Sequence, residues 1–354
     1  MRPLDTVPLI ETTRGTITET VHRGAIAVVD TKGNLQYAAG NPELVTFMRS
    51  AAKPFQLLPT IEAQAIEKFK LKPAEISVMC ASHSGEDFHL ELVRQILKKT
   101  GLTEEALQCG PHLPGHMPTQ LKMIRNCQEP TAIHSNCSGK HTGMLMGCQI
   151  KGFPTEGYLG LSHPIQQEIL HTVAKVGEMS TNDIGVAIDG CGVPTFALPI
   201  DKIALLFSRL ADPSLTTTIQ RQKGLNNIRN AMIAYPKNMS GSGRFCAALM
   251  QQFPNQVVLK SGAAGVYGIG LPNQGLGIGL KIENGLGEPR YAAVLTVLRK
   301  LDLLPRDGLD RLWHQFCPSV KNYHHQTVGE TRPVFQLTKK ETSSSSHSNT
   351  HSSS

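Results

Sequence analysis

The alternation of apolar and polar residues divides the chain into a strand-rich start, a helical middle and a second strand-rich part. Near the start, TITETV, GAIAVVD and LQYAAG, with a turn at Lys32-Gly33-Asn34, predict an N-terminal meander of strands. Short, glycine-punctuated strands return late in the chain in VVLKSG, AGVYGIGL and GLGIGLKIENG. PRYAAVLTVLRKL then predicts a closing helix with Pro289 in its first turn.

Helical spacing dominates between these two parts. The segments with apolar residues three and four positions apart are SAAKPFQLLPTIEAQAI, EDFHLELVRQILKKTG, HPIQQEILHTVAKVGEM, IDKIALLFSRLAD and TTIQRQKGLNNIRNAMIAY. IGVAIDGCG interrupts them and predicts a short buried strand that runs into a glycine turn. In CASHSGE, we expect Ser84 to cap the helix that follows.

These patterns predict an α+β fold in one catalytic domain over residues 1–341. Its sheet would come from about residues 9–49 and 256–304, and the part in between would be mostly helical. Residues 342–354 form a tail rich in Ser and His, which has no apolar surface to offset the entropy of ordering it, so we expect disorder there.

Composition and charge narrow the class of protein. The formal net charge is +7, but the basic residues are scattered and form no block or stripe, so we expect no nucleic-acid partner. The eight cysteines form no dense framework, which predicts reduced thiols. The start has no pattern of a secretory signal and no run is long and apolar enough to cross a bilayer, which predicts a cytoplasmic protein without membrane contact.

Ser50-Ala-Ala-Lys53 places a hydroxyl and an amine on one face of a helix, within mutual hydrogen-bond reach. Pro54 is tolerated only in the first helical turn, so this helix begins near Ser50. Free N–H groups at that end favour a developing oxyanion, and a neutral amine can take the serine proton. The spacing is weak alone, because a chain of this length contains about one such motif by chance.

The Ser50 motif gains weight from Lys260-Ser261-Gly262 at the end of a predicted strand. Serine β-lactamases and penicillin-binding proteins pair these two motifs in this order. Ser82 lies between them in the chain and is the candidate for the second hydroxyl of such a site.

Two polar segments carry further candidate chemistry. Residues 134–143, HSNCSGKHTG, crowd polar and titratable side chains around two glycines, which suits a backbone that wraps a ligand. Residues 189–194, DGCGVP, form a second such turn. Cys137 and Cys191 could bind a soft metal jointly, although buried inert thiols are the simpler alternative.

Seven blocks of the chain carry a family resemblance; they are RSAAKPFQ, CASHSGE, CGPHLP, HSNCSGKHTGML, DGCGVPTFALP, SGSGRF and KSGAAGVYGIG. Together, from about Leu9 to Leu301, they resemble the L-asparaginase II family, the rhizobial type that is related in fold to serine β-lactamases. The resemblance implies an antiparallel sheet flanked by helices with a mostly helical subdomain. It also implies hydrolysis of L-asparagine to L-aspartate and ammonia, and a homodimer.

The resemblance also implies roles for individual residues. The two serine–lysine pairs match Ser50 with Lys53 and Ser82 with Lys260. The residues that match the substrate pocket are Arg49, His141 and Asp189. Those that match an unusual zinc site are Cys137, Lys140 and Cys191. The sequence departs from the family at Ala264, where we would expect a glutamate near Lys260.

The leading hypothesis is an L-asparagine amidohydrolase in which Ser50 attacks the side-chain amide and Lys53 takes its proton. Zinc is the expected cofactor and no organic cofactor is expected. One alternative is a β-lactamase-like or glutaminase-like amide hydrolase, since the same chemistry acylates lactams and amides. The other is a non-catalytic protein that binds an amino acid or zinc. The sequence leaves the acylated serine open.

Overall fold

A computed structural model describes residues 5–216 and 218–340. The predicted Ser/His-rich tail of residues 342–354 lies outside these ranges. The strands are β1 (Val7–Arg14), β2 (Ile17–Asp30), β3 (Leu35–Ala39), β4 (Val45–Phe47), β5 (Gly185–Ile188), β6 (Pro194–Pro199), β7 (Val258–Ser261), β8 (Val266–Leu271), β9 (Leu276–Ile282), β10 (Val320–Lys321), β11 (Thr327–Gly329), β12 (Thr331–Pro333) and β13 (Thr338–Lys339).

The α-helices include those predicted from the periodic pattern and several that this pattern does not predict, one of which contains residues 138–143 of the polar segment. They are α1 (Lys53–Glu62), α2 (Ala65–Phe69), α3 (Pro73–Met79), α4 (Asp87–Thr100), α5 (Met117–Arg125), α6 (Ser138–Lys151), α7 (Pro164–Gly177), α8 (Ile200–Ala211), α9 (Ile219–Ala234), α10 (Pro236–Ser240), α11 (Phe245–Gln252), α12 (Glu288–Lys300) and α13 (Arg306–Phe316).

The main sheet has eight strands, and its principal path runs β12-β1-β2-β9-β8-β7. β3 pairs with the second half of β2, and β13 pairs with β3. All of these pairings are antiparallel. The α+β class and the antiparallel sheet flanked by helices are therefore confirmed.

Several element predictions need correction. TITETV and GAIAVVD belong to one strand, β2, because two different neighbours, β1 and β3, pair with its two halves along one edge. The sheet also extends beyond residue 304, since β12 and β13 add to it. β5 is largely exposed rather than buried, because it is an edge strand of a small separate sheet ordered β4-β6-β5.

The helix after CASHSGE is not capped by Ser84. Glu86 is the residue before α4, and its backbone N–H donates to His89 Nδ1 at 3.2 Å. The Ser84 hydroxyl donates to the Glu86 carboxylate at 2.8 Å instead. The Glu86 carboxylate accepts both from Ser84 and from the Ser242 N–H, and these two hydrogen bonds hold Glu86 at the start of the helix.

α8 packs closely across β2, β8 and β9, and glycines on the strands make this approach possible. A Cβ added at Gly268 would overlap the ring of Phe207, and one at Gly277 would overlap the carbonyl oxygen of Ala204. Apolar side chains of this helix and of the sheet belong to the buried core of the protein. The sheet therefore gives β7, which carries Lys260, a rigid support.

Two other glycines bring the segments of the candidate site together. An added Cβ at Gly139 in α6 would overlap the carbonyl oxygen of Val78 in α3. At Gly262, just after β7, it would overlap the carbonyl oxygen of Met48. Both positions need glycine because backbone meets backbone there. The second contact explains in physical terms why glycine follows Lys260-Ser261.

Candidate active site

Ser82 lies where two buried lysines meet. Its Oγ accepts a hydrogen bond of 3.0 Å from Lys53 Nζ and one of 2.9 Å from Lys260 Nζ. Both lysines are only 1% exposed. Because the two amines share one hydroxyl, a proton can move from one lysine to the other through the serine.

Three elements support this arrangement. Lys53 begins α1, Lys260 lies on β7, and Ser82 follows α3 in an irregular segment. Lys53 Nζ also donates to the carbonyl oxygens of Ala81 at 2.5 Å and Asn136 at 3.2 Å. Lys53 is therefore oriented by three acceptors, the Ser82 hydroxyl and the two carbonyl oxygens, rather than by Ser50 in the turn before α1.

Ser50 lies in a 3₁₀ turn, Arg49–Ala52, that leads directly into α1, as the position of Pro54 predicts. Its hydroxyl is not among the hydrogen-bond partners of Lys53 Nζ, so the direct contact that the spacing predicts is not formed here. Arg49 has a φ of +50°, which is unusual for a residue with a side chain. Such strain costs on the order of 1–3 kcal/mol and clusters at functional sites.

Lys260 is poised to be neutral near physiological pH. Burial, followed by the positive charge of Lys53, lowers the pKa of Lys260 from 10.5 to about 7. Its Nζ also donates to Ser261 O at 2.8 Å, so it has no carboxylate among its hydrogen-bond partners. An amine with a pKa near the working pH is well suited to accept and return a proton.

Arg49, which directly precedes Ser50 in the chain, forms an ion pair with Asp189. Asp189 Oδ1 lies 2.8 Å from Arg49 Nε and 2.7 Å from a terminal guanidinium nitrogen. Burial opposes ionisation of Asp189, but the Gly190 N–H, Lys140 and Arg49 lower the pKa of the carboxyl overall. Both side chains keep some solvent exposure, 32% for Arg49 and 13% for Asp189, so a ligand can reach them.

His141, the third predicted pocket residue, is fully buried within α6. Its Nδ1 lies 2.6 Å from the Tyr158 hydroxyl, and its Nε2 has no hydrogen-bond partner among the described residues. Burial, with the nearby charges of Lys140 and Lys53, keeps the pKa of His141 well below its usual value. The imidazole therefore favours the neutral form and is fully buried, with Tyr158 as its hydrogen-bond partner.

Cys137, Lys140 and Cys191 are brought together as predicted, in a buried cluster. Lys140 Nζ lies 2.8 Å from Cys191 Sγ. A hydrogen bond from Cys191 lowers the pKa of the Cys137 thiol well below its usual value, although burial acts in the opposite direction. Burial disfavours the charged form of Lys140, but the two thiols raise its pKa overall. Both shifts favour a negative charge on sulfur beside a positive charge on Lys140.

The donor set of this cluster fits zinc. Two sulfurs and one amine nitrogen, adjacent and buried, are soft to intermediate ligands that suit this metal better than magnesium or calcium. Lys140 would have to lose its proton to bind, so zinc binding would release protons. Within residues 5–216 and 218–340, no group of three or more His, Cys, Asp or Glu side chains could hold a metal ion. The amine is therefore essential to this candidate site.

A cavity of about 320 Å³ opens onto Ser82. Asn136, whose carbonyl accepts from Lys53, and Ser261, whose carbonyl accepts from Lys260, also line it. Of the predicted site residues only Ser82 lines it; those that do not are the catalytic candidates Ser50, Lys53 and Lys260, the substrate candidates Arg49, His141 and Asp189, and the metal candidates Cys137, Lys140 and Cys191. The hydroxyl between the two lysines therefore faces a cavity that Arg49 and Asp189 do not line.

The profile of the L-asparaginase II family matches residues 10–333. The chain belongs to the L-asparaginase II family. Membership supports an amidohydrolase role toward a small amide substrate. The match ends beyond Leu301, where the sequence resemblance stopped, and it includes β12 of the sheet.

No curated protein matches this L-asparaginase II chain. Several solved structures resemble it distantly. Mglu in its native form is 14% identical, with a TM-score of 0.43 over 79% of this chain and 65% of its own. A β-lactamase from Mycobacterium bovis is 14% identical, with a TM-score of 0.37 over 83% of this chain and 94% of its own. A Bacillus glutaminase is 12% identical, with a TM-score of 0.34 over 79% and 91%.

Other observations bear on the remaining sequence expectations. All eight cysteines are free. No helix among the described residues has the length and apolar character needed to cross a bilayer. Ala264, which replaces the expected glutamate, is exposed on the turn after β7 with a φ of +55°, and its carbonyl accepts from Lys281 Nζ at 2.6 Å. Lys260 makes its hydrogen bonds elsewhere.

Sequence reasoning missed several residues around the site. Asn136 supplies a carbonyl to Lys53, and Tyr158 holds His141. Asn136 could have been found from its place in the polar segment 134–143. Arg244 and Arg290 line the cavity. Arg244 lies in SGSGRF, one of the family-like blocks, whereas Arg290 lies in a helix that gave no functional signal.

Proposed function

We propose that this chain is an L-asparagine amidohydrolase that forms L-aspartate and ammonia by serine–lysine catalysis. The observation that carries the proposal is the placement of Ser82 Oγ between Lys53 and Lys260, at 3.0 and 2.9 Å. Membership of the L-asparaginase II family supports the choice of a small amide as substrate. Lys53 begins the helix that follows Ser50. The proposal requires its amine, which contacts Ser82 here, to reach the Ser50 hydroxyl during the reaction.

Ser50 is the proposed nucleophile. Its Oγ attacks the side-chain carbonyl carbon of asparagine and passes its proton to Lys53. The Lys53–Ser82–Lys260 chain lets Lys260 hold a proton in exchange, so that Lys53 can be neutral when it must act as a base. Ser82 then delivers a proton to the leaving nitrogen, the C–N bond breaks and ammonia departs. Water hydrolyses the aspartyl ester by the same groups in reverse.

Asp189 and Arg49 are proposed to bind the ammonium and carboxylate of the substrate by charge-assisted hydrogen bonds. Their mutual ion pair keeps both charges in place and partly exposed. A zwitterionic amino acid can insert between them because it offers each group a partner of opposite charge. This position, next to Ser50 in the chain, suits the acyl part of the substrate.

Cys137, Lys140 and Cys191 are proposed to hold zinc. The metal would supply a fixed positive charge that orders the segment before α6 and the turn after β5. Asn136 would transmit this order, because it directly precedes Cys137 in the chain and its carbonyl accepts from Lys53 Nζ at 3.2 Å. We place zinc in support of substrate binding and keep the nucleophile on Ser50.

The test compares ammonia release from L-asparagine and L-glutamine by the wild type, Ser50→Ala and Ser82→Ala. Ser214→Ala, at an exposed serine, is the matched control. We expect both site variants to lose activity and the control to retain it. Peptide mapping of acid-quenched wild type should find the aspartyl adduct on Ser50. An adduct on Ser82 would show that Ser82, not Ser50, is the nucleophile. If asparagine releases no ammonia, with or without zinc, the proposed amidohydrolase function is refuted.

The homodimer and the cytoplasmic location stay predictions. Light scattering of the purified protein tests the first of them, and a monomer at micromolar concentration would contradict it.

A further inference from the structure

The cavity at Ser82 is larger than the departure of ammonia requires. Its volume of about 320 Å³ lies at the lower end of the range for sites that bind small organic ligands, about 300–1,000 Å³. Ser82 is also the hydroxyl that we place next to the leaving nitrogen. In the proposed mechanism, the cavity therefore lies on the side of the leaving group.

The charge of the cavity is one-sided. Arg244 and Arg290 line it, whereas no Asp or Glu does. Arg290 is partly buried, donates to Gly262 O at 2.9 Å, and its Nε has no partner among the described residues. Arg244 is exposed and donates to Gly115 O at 2.9 Å. A carboxylate suits this space, but an ammonium group beside it would find no anionic partner.

Aromatic rings form another wall of the cavity. Phe245 stacks on Tyr291 with ring centroids 4.6 Å apart, and Tyr267 meets Phe245 edge to face at 5.9 Å. The Arg290 guanidinium lies 5.3 Å from the centre of the Tyr267 ring and 5.4 Å from that of Tyr291. This wall can receive an apolar or aromatic side chain next to a carboxylate.

We infer that this cavity binds the leaving part of β-aspartyl peptides, and that the protein hydrolyses these substrates to aspartate and an amino acid. The inference rests on the proposed function, since it uses the same acyl site. In a β-aspartyl dipeptide the second residue has a carboxylate and a side chain, but its nitrogen is part of the amide and carries no charge. The carboxylate suits the two arginines and the side chain suits the aromatic wall. The uncharged nitrogen needs no anionic partner, and no Asp or Glu lines the cavity.

The reaction uses the groups already described. Ser50 Oγ bonds to the β-carbonyl carbon, the bond from this carbon to the nitrogen of the second residue breaks, and Ser82 delivers the proton that this nitrogen needs. Water then hydrolyses the ester and releases aspartate. The freed amine takes up a proton and becomes an ammonium group next to two guanidinium groups, which favours its departure.

The test uses β-aspartyl-phenylalanine and its C-terminal amide, which lacks the carboxylate. Phenylalanine or phenylalaninamide release gives kcat/KM for each, and ammonia release from L-asparagine is measured in parallel. The variants are Arg244→Gln and, as the matched control, Arg306→Gln, whose side chain is 71% exposed. Equal melting temperatures establish that the variants are folded.

We expect the wild type to cleave both peptides and to prefer the acid over the amide by about tenfold or more, the effect of one charge-assisted hydrogen bond. Arg244→Gln should reduce this preference, since only Arg290 would then face the carboxylate, and Arg306→Gln should keep it. Turnover of asparagine without cleavage of either peptide would overturn this inference and leave the proposed function standing. An unchanged acid preference in Arg244→Gln would also overturn it, whereas inactivity toward all three substrates would refute the proposed function itself.

Discussion

The pH dependence of turnover tests the role of Lys260 directly. Because burial and the charge of Lys53 lower its pKa to about 7, the neutral amine is the major form only above neutrality. If the proton chain needs this neutral form, kcat/KM should fall about tenfold for each pH unit below 7 and level off above about pH 8. Lys260→Arg keeps a positive charge at every pH and should be inactive throughout.

The same lysine should link folding stability to pH. A change of the pKa from 10.5 to about 7 corresponds to on the order of 5 kcal/mol. Between these two pH values the unfolded chain binds more protons at Lys260 than the folded chain, so this residue makes the unfolding free energy rise with pH. Below about pH 7 its full cost is present, and near pH 10.5 the cost vanishes. Lys260→Met should therefore stabilise the protein most at low pH.

The assays are ammonia release from about pH 5.5 to about pH 9 and urea denaturation of wild type and Lys260→Met over the same range. Lys321→Met, at an exposed lysine, controls for loss of a charge. An activity maximum well below neutrality would point to a carboxylate base and refute the lysine scheme. A gain in stability that is independent of pH would show that Lys260 is not the titrating group.

Three further predictions test the rest of the site. Lys53→Met should lower turnover by at least about 10²-fold to 10⁴-fold while the protein keeps its fold by circular dichroism, and retained activity would remove Lys53 from the mechanism. Protein purified without added zinc should contain about one zinc per chain, and chelation should raise KM more than it lowers kcat. If the purified protein contains no zinc, the proposed metal site is wrong. If chelation abolishes activity while the Ser50 and Ser82 variants stay active, the nucleophile is a metal-bound water rather than a serine. Gly262→Ala should destabilise the protein by about 1–3 kcal/mol because the added Cβ overlaps Met48 O. Gly190→Ala, where the Cβ meets open space, should change the unfolding free energy by less than about 0.5 kcal/mol, and equal losses would contradict the packing argument.

Much of the site was predictable because its chemistry is encoded in local spacing. Pro54 places the start of α1 near Ser50, and the structure confirms it. The glycine after Lys260-Ser261 reflects a close backbone contact. The polar segment 134–143 pointed to Cys137 and Lys140, which do lie together with the distant Cys191. Short motifs of this kind carry their own conformational reasons, so a single sequence can reveal them.

Strand pairing was less predictable. The break seen between TITETV and GAIAVVD does not exist, because two different strands share one edge of β2. β12 and β13 are too short to produce a periodic signal, yet they pair with strand residues 300 or more positions away in the chain. Pairing of this kind is determined by which edge of the sheet is left free.

The sequence by itself determined which residues could do chemistry: two serine–lysine motifs in order, and a family of amide hydrolases that uses them. Only the tertiary structure decided how they meet. Ser82 accepts hydrogen bonds from lysines 29 and 178 positions away in the chain. Lys53 makes no hydrogen bond to Ser50, although Ser50 lies only three positions before it. The structure also assembled Arg244, Arg290 and the aromatic wall into one cavity. Local periodicity specifies helices and turns, but the distance between elements comes from side-chain packing and backbone contact, which no short stretch of sequence contains.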